Sequence, residues 1–469
     1  MRSILFALVL ACAAGVAHAA TEIRLWHEMS GARGDELAAL VQQFNAAQKA
    51  YRVVAVYKGS DGAALSAALV AQRARRAPDL VQVDEVDTGS LLAEPGAVRP
   101  LWEVMRAARE RLDARAFLPA VASPFLDARG RLLALPFDTS TPVMFYNRDA
   151  FRKAGLDPDR PPQTWYQMMK TLGAIVDSGV KCAYTTAWPS WVELENMTAW
   201  NNRPFATLGN GFHGLGARLD FNTRLMMRHI AMLESFAKSG YFTYSGRGDA
   251  AEARFADGGC AVLTSSSSSI LRLKRAAKFD LGVAQFPYYD DMSGAPQNTL
   301  VRGGALWVMS GKSFKDERGV AKFLAYLLQP RVQAQWHQQT GYLPVTRAAY
   351  QLSERDGFYE RFPGEQIAVR QLLKNPTPES RGIRLGPLRA IRLVIDQELE
   401  AVWADKKTPM DALDAAVKRG NVLLHAFMLA HSGHHPARRR LKLSTERVLP
   451  AERYGATAGE RGRARKPPV

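Results

Sequence analysis

The residues able to do chemistry in this chain are a few polar and aromatic groups set among apolar segments. Five consecutive serines occupy 265–269, between an apolar strand candidate at 260–264 and a basic helix candidate at 270–278. A helix start leaves backbone N–H groups without partners and its dipole favours negative charge, so Ser266 and its neighbours suit an approaching phosphate or carboxylate. The alternative is an ordinary N-cap followed by a serine-rich loop. Trp188 and Trp191 flank Pro189-Ser190 in a short turn. Two large aromatics there either cap a core or stack on the C–H face of a sugar or glycerol. Tyr342 follows Gly341 in a second loop and offers a hydroxyl. Arg392 opens the run Arg392-Leu393-Val394-Ile395, where a guanidinium is costly to bury without an anionic partner and otherwise forms a surface salt bridge.

Catalytic patterns are missing from the sequence. His27-Glu28-Met29-Ser30-Gly31 does not continue into a zinc-protease motif, and there is no Gly-x-Ser-x-Gly elbow or phosphate loop. The carboxylate pairs Glu193/Glu195 and Asp290/Asp291 read, on composition, as solvated surface charges. No Cys/His spacing suggests a metal, and no cofactor is expected. The residue types point to a protein that binds and does not transform.

Positioning such groups requires a framework of alternating elements. Residues 23–26 read as a strand, and Leu37, Leu40, Val41 and Phe44 recur on one helical face. A strand at 51–57, a helix at 63–74 and a strand at 79–83 complete a βαβαβ order, which predicts a parallel sheet with helices on both faces. Such sheets bind ligands at the carboxyl ends of their strands, here His27, Lys58-Gly59-Ser60-Asp61 and Asp84-Glu85. Residues 135–146 carry two prolines and small hydroxyls, as a strand crossing between two lobes would. A second α/β region follows, with helices expected at 164–178, 315–328, 332–339, 388–403 and 409–429. Thr408, Pro409 and Asp411 form a clear start for the last.

Size and charge are compatible with this plan. At 469 residues and 47% hydrophobic, the chain can build two or three domains. Arg2, an apolar run at 4–16 and Ala17-His18-Ala19 read as a secretory signal over residues 1–19, so the mature chain is expected to be exported, most simply to the periplasm. Cys12 faintly resembles a lipoprotein cleavage box, but Leu10 fits that pattern poorly. Cys182 and Cys260 are compatible with a disulfide in an oxidising compartment or with two buried thiols. The net charge is +17, and residues 431–469 hold ten Lys/Arg against three Asp/Glu without hydrophobic periodicity. That tail reads as disordered, and export and the lack of interleaved aromatics argue against nucleic-acid binding. The pair His434-His435 reads as solvated.

Taken together, ordered stretches over residues 20–428 resemble the glycerol-3-phosphate-binding family among the solute-binding proteins of ABC importers. The stretches include Trp26-His27, Val56-Tyr57-Lys58-Gly59, Gln82-Val83-Asp84-Glu85-Val86, Ser140-Thr141-Pro142-Val143, 150–158, 188–196, Ala295-Pro296-Gln297-Asn298, Thr340-Gly341-Tyr342-Leu343-Pro344 and Ile383-Arg384-Leu385-Gly386. The resemblance implies an α/β, two-lobed periplasmic binding protein fold, each lobe a mainly parallel sheet flanked by helices. One lobe would comprise 20–137 and 300–344, the other 138–299 and 345–430, with closure of the hinge over ligand. It implies a monomeric receptor that docks on a membrane permease pair driven by an ATPase. Family ligand contacts fall on Glu85, Ser140, Ser266, Gly303, Tyr342 and Arg392, with Trp188 and Trp191 lining the cleft. In that scheme Arg392 and Tyr342 hold the phosphate and Glu85 accepts from glycerol hydroxyls. The chain departs from the family at Asp61, where a tyrosine is usual, at Asp84, where an aromatic is, and at Arg302, where a small or apolar residue is. Asp61 would repel a phosphate unless Arg302 compensates. Glycerol-3-phosphate, a glycerophosphodiester such as glycerophosphocholine and a related polyol all remain open as ligands. A neutral-oligosaccharide receptor and a secreted phosphodiesterase are the competing functions.

Overall fold

The computed structural model describes residues 20–432; the expected signal segment, Cys12 and the tail beyond Ser432 lie outside the described residues. Two sheets organise the chain. The first contains β1 (Thr21–His27), β2 (Tyr51–Tyr57), β3 (Leu80–Asp84), β4 (Val98–Arg99), β5 (Leu135–Pro136) and the late strand β10 (Gly304–Met309). The second contains β6 (Pro142–Asn147), β7 (Tyr184–Thr186), β8 (Val262–Ser266) and β9 (Leu281–Ala284). Strand order is β2-β1-β3-β10-β4 with β5 also on β10, and β7-β8-β6-β9 in the second sheet.

The parallel pairs β1–β2 and β1–β3 match the βαβαβ pattern. Both sheets are nevertheless mixed. β10 returns antiparallel to β3, β4 and β5, and β6 runs antiparallel to β8 and β9. The cause is topological: β10 and β6 enter their sheets along crossing segments instead of through a right-handed helical crossover, and only the latter enforces parallel pairing.

The first core takes the strands of the first sheet and also one face of the second, through Val143 and Phe145 of β6 and Leu263 of β8. Ile23 and Leu25 of β1 point inward beside Leu80, Trp307 and Phe323, and the helix Gly31–Ala47 buries the periodic Leu37, Leu40, Val41 and Phe44. Trp165, Met168, Tyr184, Phe286 and Ile391 centre the second core. Helix starts follow the sequence signals. Thr164 and Gln167 form a capping box for the helix Trp165–Asp177, and Thr408 caps Pro409–His431. Cys182 and Cys260 are joined by a disulfide that ties the entry of β7 to that of β8.

Two segments crossing between the sheets pair with each other. Ser140 and Arg302 form an antiparallel bridge, each backbone N–H donating to the other's carbonyl at 2.8 Å. This double crossing lies between the two sheets and brings Ser140 beside Gly303.

Candidate ligand-binding site

The floor of the site forms where β3 ends and β10 begins. Glu85 donates its backbone N–H to the Gly303 carbonyl at 2.9 Å, and its carboxylate accepts the Gly303 N–H at 3.0 Å. Gly303 has φ +113°, and a Cβ there would fall 1.7 Å from the Asp138 carbonyl oxygen, so no other residue fits. Glu85, Ser140 and Gly303 are therefore drawn together.

Arg392 reaches this floor from the helix Leu388–Trp403, which belongs to the second core. Its Nε and Nη2 donate to the two Glu195 oxygens at 2.7 and 2.8 Å, and Nη2 also donates to Glu85 at 2.8 Å. Burial alone would lower its pKa, but Glu195 and Glu85 outweigh it and hold the guanidinium above its ordinary value. One carboxylate comes from each lobe, so the triad fastens them to each other.

Glu193 and Glu195 are thus not the solvated surface charges that composition suggests; both are buried. They lie on a π-helical turn, Ser190–Asn196, wide enough to aim them at different partners. Glu193 accepts from Tyr184 at 2.7 Å and Thr186 at 2.6 Å and lies 3.0 Å from His229 Nε2. Glu195 pairs with Arg392. A carboxylate every second residue within the apolar run 191–197 was the available sequence signal. Asp290 and Asp291 are exposed as expected, with Asp291 paired to Arg228.

The same π-helical turn carries Trp191. That ring is 1% exposed and its Nε1 has no hydrogen-bond partner among the described residues. Trp188 is half-buried with φ +54°, and its N–H donates to Gly248 O at 2.9 Å. The Arg302 guanidinium lies 3.5 Å from the Trp188 ring centroid and 5.7 Å from that of Trp191.

Tyr342 is buried, stacked near Trp336, with the Arg33 guanidinium 4.6 Å over its ring. Burial and the charge of Asp138 raise its phenol pKa. Arg33 also donates to the Ser268 carbonyl at 3.0 Å, linking the first lobe's leading helix to the serine run.

The serine run does more structural work than its composition implies. Ser265 and Ser269 donate to buried Glu252 at 2.6 and 2.7 Å, and Ser267 Oγ accepts the Thr141 N–H at 3.1 Å. A 3₁₀ turn, Ser267–Ser269, leads into the helix Ile270–Ala276, with Ser269 at its N-cap position. Ser266 and Ser268 remain, their hydroxyls 3.0 Å apart.

Asp61 stands apart from these groups. Its side chain is 86% exposed at the rim, and its nearest cation is Arg389 at 3.6 Å. Arg389 itself is held by Asp87, at 3.2 and 2.6 Å, with Asp84 3.8 Å away. Asp61 is therefore balanced by Arg389 and not by Arg302. Burial beside Glu85, Asp138 and Glu28 pushes the Asp84 carboxyl up to about 8, and burial pushes Asp138 up to about 6. Among the described residues, no cluster of three or more His, Cys, Asp or Glu is placed to hold a metal ion.

Two mixed α/β sheets joined by a paired double crossing, with the buried Glu85–Arg392–Glu195 triad tying their surroundings together, define a two-lobed binding-protein fold. The chain matches the bacterial extracellular solute-binding protein family over residues 39–360, and it belongs to that family. It is 46% identical over 427 residues to an sn-glycerol-3-phosphate-binding periplasmic protein UgpB of Yersinia enterocolitica, covering 91% of this chain and 97% of that one. The UgpB of Salmonella typhimurium is 47% identical over 88% of this chain and 94% of its own. Among solved structures, UgpB from Mycobacterium tuberculosis in complex with glycerophosphocholine superposes with TM-score 0.71 at 21% identity, covering 87% of this chain and all of that one. A cyclic alpha-maltosyl-1,6-maltose binding protein from Arthrobacter globiformis gives TM-score 0.71 at 23% identity, covering 86% and 99%.

Proposed function

We propose that this chain is the periplasmic receptor of an ABC importer, capturing sn-glycerol-3-phosphate or a glycerophosphodiester between its lobes without turnover. The observation that carries this reading is the buried Glu85–Arg392–Glu195 triad, which joins the end of β3 and the Gly303 floor to the helix Leu388–Trp403. Close relatives named for glycerol-3-phosphate, matching over nine-tenths of the chain, support it. In this reading the lobes comprise 20–137 with 300–344, and 138–299 with 345–430. Glu85 accepts from glycerol hydroxyls. Ser140, Ser266 and Tyr342 supply hydroxyls, Gly303 lets backbone approach, and Trp188 and Trp191 cover the ligand's carbon face. Arg392 holds Glu85 and Glu195 in place from below, and Asp61 sits at the rim. The receptor is exported by its leader, works as a monomer and delivers its ligand to a permease pair driven by an ATPase.

The test is mass spectrometry of small molecules released by denaturing protein purified natively from its periplasm. Glycerol phosphates or their diesters released in near-stoichiometric amount support the reading. A neutral oligosaccharide in their place contradicts it.

A further inference from the structure

Four arginines converge on the cleft, but their charges are not equally available. Arg392 is matched by Glu85 and Glu195, both within 2.8 Å. Arg389 is matched by Asp87, with Asp84 and Asp61 close by. Neither has a charge to spare for a phosphate. Arg33 and Arg302 differ: among the described residues no carboxylate lies within ion-pairing distance of either guanidinium. Arg33 touches a backbone carbonyl and the Tyr342 ring. Arg302 lies on the Trp188 ring at 3.5 Å.

That stack has a directional consequence. A guanidinium on an indole face keeps its N–H groups in its own plane, so the edge donors stay free for an anion. The site is central, because the Arg302 backbone is bridged to Ser140 and precedes Gly303. Arg302 also sits over Trp191, whose buried Nε1 has no partner. The stack has an exclusion as well. The aromatic face that a quaternary ammonium would seek is already covered by a cation of the protein itself.

Building on the glycerol phosphate reading, we propose that Arg302, seated over the Trp188 ring, takes the ligand phosphate, with Arg33 and the Tyr342 hydroxyl completing the enclosure. By covering that ring, it tunes the cleft to a phosphate monoester and against a choline diester. A monoester carries close to two negative charges at neutral pH and meets two unmatched guanidiniums. Glycerophosphocholine brings one negative charge and a quaternary ammonium that must displace Arg302.

The experiment is titration of the full mature chain, followed by tryptophan fluorescence, with sn-glycerol-3-phosphate and with glycerophosphocholine. Wild type, Arg302→Gln and Arg302→Lys are compared. Wild type is expected to bind the monoester at least tenfold more tightly than the diester. Arg302→Gln should weaken the monoester about 10- to 100-fold, as loss of a charge-assisted contact does, while leaving the diester within about threefold or improving it. Arg302→Lys should fall between. Equal losses for both ligands, an unchanged monoester affinity in Arg302→Gln, or a wild type that prefers the diester would each overturn the proposal. The wild-type preference decides the matter even if the variants do not fold. A wild type that binds neither ligand refutes the glycerol phosphate reading itself, and this inference with it.

Discussion

Replacing Arg392 with Met removes its charge while keeping most of its volume, and the structure sets the size of the effect. Two carboxylates lose a partner. Glu85 retains the Gly303 N–H. Among the described residues the Glu195 carboxylate has no other partner, and its side chain is 1% exposed. A buried, unpaired carboxylate protonates instead of remaining charged. Protonating a group of reference pKa ~4.3 at pH 7 costs about 1.36 kcal/mol for each of ~2.7 units, or roughly 3.7 kcal/mol. That agrees with the ~3–5 kcal/mol typical of breaking a buried pair by removing one partner. The cost should shrink with acidity to about 1 kcal/mol at pH 5, because the proton is then nearly free. Urea unfolding followed by circular dichroism, at pH 7 and pH 5, measures both values. Adding Glu195→Gln to Arg392→Met should recover most of the loss at pH 7. A penalty below about 1 kcal/mol at pH 7, a penalty independent of pH, or no recovery in the double variant would refute the reasoning.

Three further outcomes follow from the same geometry. The disulfide between Cys182 and Cys260 spans 78 residues, so the chain-entropy relation gives about 4.5 kcal/mol; reducing it should lower the urea midpoint, and an unchanged midpoint contradicts the pairing. Gly303→Ala forces a Cβ against the Asp138 carbonyl in a backbone region alien to alanine, and should cost more than ~2 kcal/mol together with ligand binding. Asp84 has a raised carboxyl pKa, so its stabilising contribution is complete below its unfolded value and is lost as pH rises through about 8. Asp84→Asn should therefore flatten the fall of Tm between pH 5 and pH 9 by ~3 °C or more, and parallel curves for the two proteins would rule this out.

Helices were the most legible part of the chain, because their signals are local. Leu37, Leu40, Val41 and Phe44 share one face in sequence and in space, and the helix Leu388–Trp403 has the span its apolar spacing predicts. Strand direction was less legible, since β10 lies far along the chain from β3 and its antiparallel return depends on a crossing that no short window contains. In the site, the individual residues were visible and their pairing was not. Arg392 announced the need for an anion, but Glu195 lies 197 positions away on a turn whose π geometry re-aims its side chains. The serines illustrate the same limit. Composition does not tell the five apart, whereas in the fold buried Glu252 engages Ser265 and Ser269 and leaves Ser266 beside Ser268. Asp61 looked hazardous for a phosphate only because its neighbour Arg389 comes from more than 300 residues further on.

The claim at the centre of this account is that a hinged cleft captures an anionic glycerol phosphate and leaves it chemically intact. Calorimetric titration of the mature chain with sn-glycerol-3-phosphate, with recovery of the ligand afterwards, tests it directly. A saturable heat with one site per chain, and unaltered ligand in the recovered solution, is predicted. A flat titration, or recovery of free glycerol and phosphate, would contradict it.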